Sequence, residues 1–379
     1  MSAADLAGLD GILDLARSRP LFDGGDDDAA IRERLADTLG MLPPPIDRSV
    51  VERSTWSRDG VDGVELQWAT GIGGPSTAWM LRPAGEKRPL PGVVALHCHG
   101  GVKRWGKEKI ANGPDAAPPG RVGSIRDELY AGRAIADDLA RAGFAVLAPD
   151  AFGWGSRRIP IAAMPFRSEH VAALELAAAW RERPLDPDEE YDIHAGAHED
   201  ALAKLLGVLG TSWGGLIARE DLLAVDALVD RSDVLPGGVG LIGLSGGGAR
   251  AVIASALSDD VAATGVVAMM ASMPQILDGH VHKHTWAMMN PGLGRVADWP
   301  EIAAVRRPRP LLVAYAERDA LFPLEGMKNA DRVIRQRYDS VGAADRYTGT
   351  FAPVPHSFDN ETQTLATRWL AEHLGRAAS

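Results

Sequence analysis

Ser245, Asp319 and His356 stand in the chain order serine, acid, histidine. Residues of these types can share one reaction: a hydroxyl attacks a carbonyl, an imidazole takes its proton, and a carboxylate steadies the imidazole. Ser245 lies in Gly243-Leu244-Ser245-Gly246-Gly247, the G-x-S-x-G spacing of a serine raised on a sharp turn between strand and helix. Such a turn needs small residues two places either side, because a Cβ there would clash. The helix start behind it offers unpaired N–H groups and the positive end of a dipole, suited to an oxyanion. A phosphate-cradling loop or a plain tight connection would read the same over this stretch. With 42 glycines in the chain, glycine-flanked serines also arise by chance.

The partners separate these readings. PLLVAYA (310–316) reads as a strand that delivers Glu317-Arg318-Asp319 just past its C-terminal end, and DRYTGTF reads as a strand leading to His356 in PVPHSF. Alone, Asp319 fits a turn or cap aspartate and His356 a loop histidine. Together, each after a strand and on the edge where the elbow presents its serine, they fit catalysis. Glu317 is the rival acid, on the same side as Asp319 if the strand continues. Upstream, His97-Cys98-His99-Gly100-Gly101 follows another strand. Its glycine pair matches the HGG-type loop whose amides approach a substrate oxygen, so Gly101 and Gly246 are the expected oxyanion donors.

These residues need a scaffold that brings strand ends together. Three alternating segments after residue 48 (SVVERSTW, GVELQWAT, STAWMLRPA) read as antiparallel strands at a sheet edge. Apolar runs then alternate with helical segments: GVVALHC (92–98), FAVLAPD (144–150), GVGLIGL (238–244), TGVVAMM (264–270) and PLLVAYA. This is the grammar of a doubly wound, mostly parallel α/β sheet flanked by helices. Residues 1–45 read as an N-terminal helical extension and 46–379 as one catalytic domain. Insertions at about 103–125, 151–213 and 271–300 leave the sheet where strand C-termini converge, the ligand-binding edge of such sheets, and are expected to form a lid or pocket wall. His99, Trp154, Trp213 and Trp286 are the candidate pocket residues; Trp180 and Trp299 lie in the same insertions.

Other chemistries fit less well. Gly101 to Lys107 has the spacing of a phosphate loop, but Glu108 stands where a serine or threonine must hold magnesium. No G-x-G-x-x-G dinucleotide fingerprint surrounds the elbow. His280, His282 and His284 alternate, and on an extended segment they could join His97 and His99 as metal ligands of a His-dependent metallohydrolase. No carboxylate cluster adjoins them in sequence, and no metal or other cofactor is expected. The net charge of -11 weighs against a nucleic-acid or anionic-membrane partner. The single cysteine, Cys98, forms no intramolecular disulfide, and the acidic N-terminus is unlike a secretory signal; the expected location is the cytoplasm.

Five segments then carry a family resemblance: GLSGGG, HCHGG followed by WGKEKI, APDAFGWGSR, RPLLVAYAERDALFP and PHSF. Over about residues 50–375 the chain resembles the dienelactone hydrolase and acetylxylan-esterase-like branch of the α/β-hydrolase superfamily. The resemblance implies Ser245 as nucleophile, Asp319 as orienting acid, His356 as general base, and the amides of Gly246 and the Gly101 region as oxyanion hole. It implies hydrolysis of a small-molecule carboxylic ester through an acyl-enzyme. Dienelactone hydrolases proper carry cysteine at the elbow, so the serine here argues against dienelactone itself. Lactone or thioester cleavage and acyl transfer use the same triad and stay open, as does the oligomeric state, a homodimer included.

Overall fold

The computed structural model describes residues 24–375, apart from 26 and 116. The first helix expected in the N-terminal extension lies outside the described residues. Among the described residues nine strands form one sheet: β1 (Val50–Arg58), β2 (Val61–Trp68), β3 (Ser76–Pro83), β4 (Gly92–Leu96), β5 (Ala145–Pro149), β6 (Val239–Leu244), β7 (Val261–Val267), β8 (Leu311–Ala316) and β9 (Tyr347–Ala352). Their spatial order is β1-β2-β3-β5-β4-β6-β7-β8-β9. The first three pair antiparallel with one another, β3 pairs antiparallel with β5, and the remaining neighbours are parallel. β4, β5, β6 and β8 are buried along their whole length, as continuous apolar runs require when helices cover both faces.

The helices are α1 (Asp28–Leu39), α2 (Val122–Leu129), α3 (Ile135–Arg141), α4 (Phe166–Ala179), α5 (Pro187–Val208), α6 (Trp213–Val229), α7 (Gly246–Leu257), α8 (Met273–Ile276), α9 (Trp299–Ala304), α10 (Leu324–Asp339) and α11 (Asn360–Leu374). One face of the central strands, with Val93, Ala95, Ile242, Leu244 and Leu312, packs on Leu139 of α3 and Leu370 of α11. On the other face Val94, Leu96 and Leu241 meet Leu223 and Leu228 of α6, while Val266, Val313 and Tyr315 meet α7, α9 and α10. α1 joins this second layer through Ile31, Leu35 and Leu39, and Arg32 donates to Ala256 O at the end of α7 (2.7 Å). The described part of the extension is thus packed on the helix that begins at the elbow.

Two features differ from the sequence reading. RDELYAGRAIADDLARAG reads as one helical stretch but divides into α2 and α3, because Ala131 (φ 54°) and Gly132 (φ 76°) reverse the chain and Gly132 N–H closes on Arg126 O. Residues 151–213 hold a helical hairpin, α4 and α5, whose second arm starts at a capping box. Asp186 accepts from the Asp188 and Glu189 amides, and Glu189 returns a bond to Asp186 N. Among the described residues no single helix is long and apolar enough to cross a membrane.

Candidate active site

β4 is followed by β5 on one side of it and β6 on the other, so the strand order reverses at β4. The crevice beyond the C-terminal ends of β4 and β6 is therefore the expected ligand site. β6 ends at Leu244, and Ser245 follows with φ 56° and ψ -121°, a conformation an L-residue adopts only under strain. Its amide donates to Val267 O on β7 (2.8 Å), and its carbonyl accepts from Ala249 N (3.0 Å), which starts α7. The flanking glycines have a steric reason. A Cβ on Gly243 would stand 2.3 Å from Gly247 C, and one on Gly247 only 2.1 Å from Leu96 O.

Ser245 opens into a cavity of about 470 Å³ that also meets Gly246, Gly101, His99, His284 and His356. The parallel ladder of β8 and β9 brings the acid and the imidazole there: Ala316 pairs with Ala352, and the chains continue into the turns carrying Asp319 and His356. His356 Nδ1 lies 2.5 Å from Asp319 Oδ2, with the carboxylate wholly enclosed and the imidazole 16% exposed. The other oxygen, Asp319 Oδ1, accepts from Leu321 N (2.8 Å). Phe322 stacks on the His356 ring at a centroid distance of 6.2 Å. Glu317 lies in the turn just past β8, its amide donating to Ala352 O, and the acid that meets His356 is Asp319.

The loop after β4 differs from expectation. Gly100 (φ 62°) and Gly101 (φ 65°) turn the chain, but the Gly101 amide donates to His99 Nδ1 (3.0 Å) instead of facing free space. His99 Nε2 is 2.9 Å from Glu199 Oε1, so with Glu199 ionised the ring carries its proton on Nε2 and accepts on Nδ1. Burial lowers the His99 imidazole further below its ordinary value. Glu199, on α5, also binds the Lys103 ammonium and accepts from Thr285 Oγ1 (3.1 Å). Burial raises its pKa, but the His99 hydrogen bond and the Lys103 charge outweigh that and hold it at about 2. One carboxylate thus ties both long insertions to the loop. Beneath the loop, Arg250 of α7 grips Asp221 of α6 with two nitrogens (2.9 and 2.5 Å) and reaches His97 O (3.3 Å).

Of the four candidate pocket residues, His99 lines the Ser245 cavity. Trp154 is buried beside it (centroids 5.1 Å, edge to face), lining a small inner cavity shared with Gly246 and Met288. Trp213 stacks under Trp154 at 5.3 Å and donates to Phe152 O, a packing role. Trp286 is 41% exposed and donates to Asp200 Oδ1, pinning the 271–300 segment to α5 outside the cavity lining. His280, His282 and His284 do not alternate on an extended strand, because Val281–Lys283 is a turn of 3-10 helix. His284 packs at a tilt against Phe322 (centroids 4.8 Å), and burial, with His280 nearby, lowers its pKa to about 4. Lys107, the would-be phosphate-loop lysine, is buried in an ion pair with Asp150 (2.7 Å).

Sequence reasoning missed Glu199, the Asp221–Arg250 pair and Lys109, whose ammonium lies under the loop. None carries a local spacing signal. Only the uncommon placing of charged residues inside otherwise apolar helical stretches, such as Arg219-Glu220-Asp221, hinted at paired burial.

The sheet order, the elbow after its central strand and the crevice at the reversal define the α/β-hydrolase fold. The solved structures that resemble it agree. One from Bacteroides fragilis, titled "putative acetyl xylan esterase", superposes with a TM-score of 0.63 at 16% identity, covering 86% of this chain and 74% of that one. The acetyl xylan esterase from Paenibacillus sp. R4 matches with a TM-score of 0.56 at 16% identity over 95% of this chain and 98% of its own. In sequence, the chain is 25% identical over 271 residues to "Putative hydrolase YtaP" of Bacillus subtilis (strain 168), spanning 71% of this chain and 74% of that protein. No protein-family model matches the chain.

Proposed function

We propose that the chain is a serine hydrolase that cleaves a small-molecule carboxylic ester. The observation that carries the reading is the enclosed Asp319–His356 pair, whose imidazole shares one cavity with the strained Ser245. The hydrolase-named relative and the esterases of the same fold support it. With Nδ1–H held by Asp319, His356 presents its Nε2 lone pair to the cavity. It takes the Ser245 proton as Oγ forms its bond to the ester carbonyl carbon. The tetrahedral oxygen rests against the first amides of α7, led by Gly246, whose N–H groups have no intrahelical acceptor. Collapse expels the alkoxide, which leaves with the proton from His356 as the alcohol. Water then attacks the acyl-enzyme with His356 again as base, releasing the acid and restoring Ser245.

Ser245→Ala tests this directly. Hydrolysis of 4-nitrophenyl acetate should fall by about 10⁴-fold or more, the scale of losing the nucleophile of a triad. Labelling by a fluorophosphonate should disappear with it. Near-normal turnover or persistent labelling in the folded variant would exclude the reading.

A further inference from the structure

Lys109 closes a short 3-10 turn, Lys107–Lys109, and its side chain is wholly buried. Its ammonium donates to Cys98 O (2.8 Å), His99 O (3.0 Å) and Val102 O (2.9 Å). Three carbonyls thus fill its three N–H donors. All three belong to the loop that follows β4 and faces the elbow.

In a trans peptide the C=O and the N–H of one plane point in opposite directions. Holding the Cys98 carbonyl inward therefore turns the His99 amide outward, and holding the His99 carbonyl inward turns out the Gly100 amide. The third plane shows the effect: with Val102 O on Lys109, the Lys103 amide points the other way and donates to Asp192 Oδ1 (2.7 Å). The outward side faces the elbow, since His99 N lies 3.0 Å from where a Cβ on Gly246 would stand. The Gly101 amide, meanwhile, is engaged by His99 Nδ1.

We propose that Lys109 is a positioning residue for oxyanion binding: by gripping the carbonyls of Cys98, His99 and Val102 it aims the His99 and Gly100 amides at the substrate oxygen opposite Gly246. The second donor is then one of these two amides, and Gly101 serves to latch the loop to His99. The lysine also sets a positive charge behind the loop, where negative charge grows in the transition state. This inference rests on the ester-hydrolysis reading.

The test uses Lys109→Met and Lys109→Gln in the full chain, with 4-nitrophenyl acetate and a trifluoromethyl ketone that forms a tetrahedral adduct with Ser245. Losing one well-placed donor costs about 10²–10³ in kcat. Lys109→Met, once shown to be folded by circular dichroism and a cooperative melt, should lose about that factor in kcat with KM within about threefold. Its affinity for the ketone should fall by the same factor, and Lys109→Gln, which keeps two donors on a shorter stem, should lie between. A purely structural lysine would lower Tm and leave kcat and ketone affinity of the folded protein near wild type, which overturns the proposal. Failure of both variants to fold assigns Lys109 to the core and overturns it equally. Ser245→Ala separates this from the underlying reading. If that variant still hydrolyses the ester, ester hydrolysis at Ser245 falls whatever Lys109 does; if it is inert and Lys109→Met is normal, only the positioning role falls.

Discussion

Asp319 and His356 meet at 2.5 Å across 37 residues of chain, and the carboxylate has no exposed surface. Its second oxygen is taken by the Leu321 amide, so the group is fixed in place before any substrate arrives. Asp319→Asn should keep this geometry while presenting the wrong partner to Nδ1, lowering kcat by about 10³–10⁴. Glu317→Gln, two residues earlier, should stay within about threefold of wild type in kcat. Steady-state kinetics on both variants decides the matter, and equal losses would return Glu317 to contention.

The elbow glycines are steric requirements. An alanine Cβ at 247 would press on Leu96 O at the end of β4, a backbone atom that cannot step aside. Gly247→Ala should destabilise the fold by about 1–3 kcal/mol, the usual cost of overpacking. Urea unfolding measures this, and the same variant should lose kcat more than KM, since β4 leads straight into the loop facing Ser245.

Asp221 and Arg250 are both enclosed, with side chains 2% and 8% exposed. Removing one partner strands a buried charge. Asp221→Leu should cost about 3–5 kcal/mol, while the double variant with Arg250→Met should recover most of it. A double-mutant cycle by chemical denaturation gives both numbers, and additive losses would show that the pair is not coupled.

Glu199 links pH to stability. Its pKa is lowered in the fold from 4.5 to about 2, so the stability it contributes is complete above 4.5 and is lost as pH falls from there toward 2. Between pH 5.5 and 3 the wild type should lose about 2 kcal/mol more unfolding free energy than Glu199→Gln. Urea titrations at the two pH values measure the difference; parallel losses would mean that the carboxylate is not held by His99 and Lys103.

The parts of this molecule that are legible in sequence are those whose cause is local. GLSGGG shows its turn because the clash it avoids lies within five residues, and the buried strands show themselves as apolar runs bounded by turns. In sequence Asp319 is preferred to Glu317 for its loop position, with Glu317 left open because both follow the same strand on the same side; it is Asp319 that meets His356, its other oxygen held by Leu321 N. That the Gly101 amide bonds the His99 ring was not legible, because the ring is oriented by Glu199 from a helix 100 residues away. The 151–213 insertion was legible only as a lid or pocket wall, although Asp186-Pro187-Asp188-Glu189 is the helix-start signature at which α5 begins.

The sheet order also sets when the site exists. The loop after β4 and the elbow after β6 come from the middle of the sheet, whereas Asp319 and His356 hang from β8 and from the edge strand β9. Synthesis delivers the chain from its N-terminus, so the strained serine is made more than a hundred residues before its imidazole. If the proposed triad holds, a nascent or truncated chain that ends before β9 carries Ser245 without His356 and should be inert toward esters. On the proposed triad, Ser245-dependent turnover in refolding should return only once β9 has paired with β8 and brought His356 to the cavity.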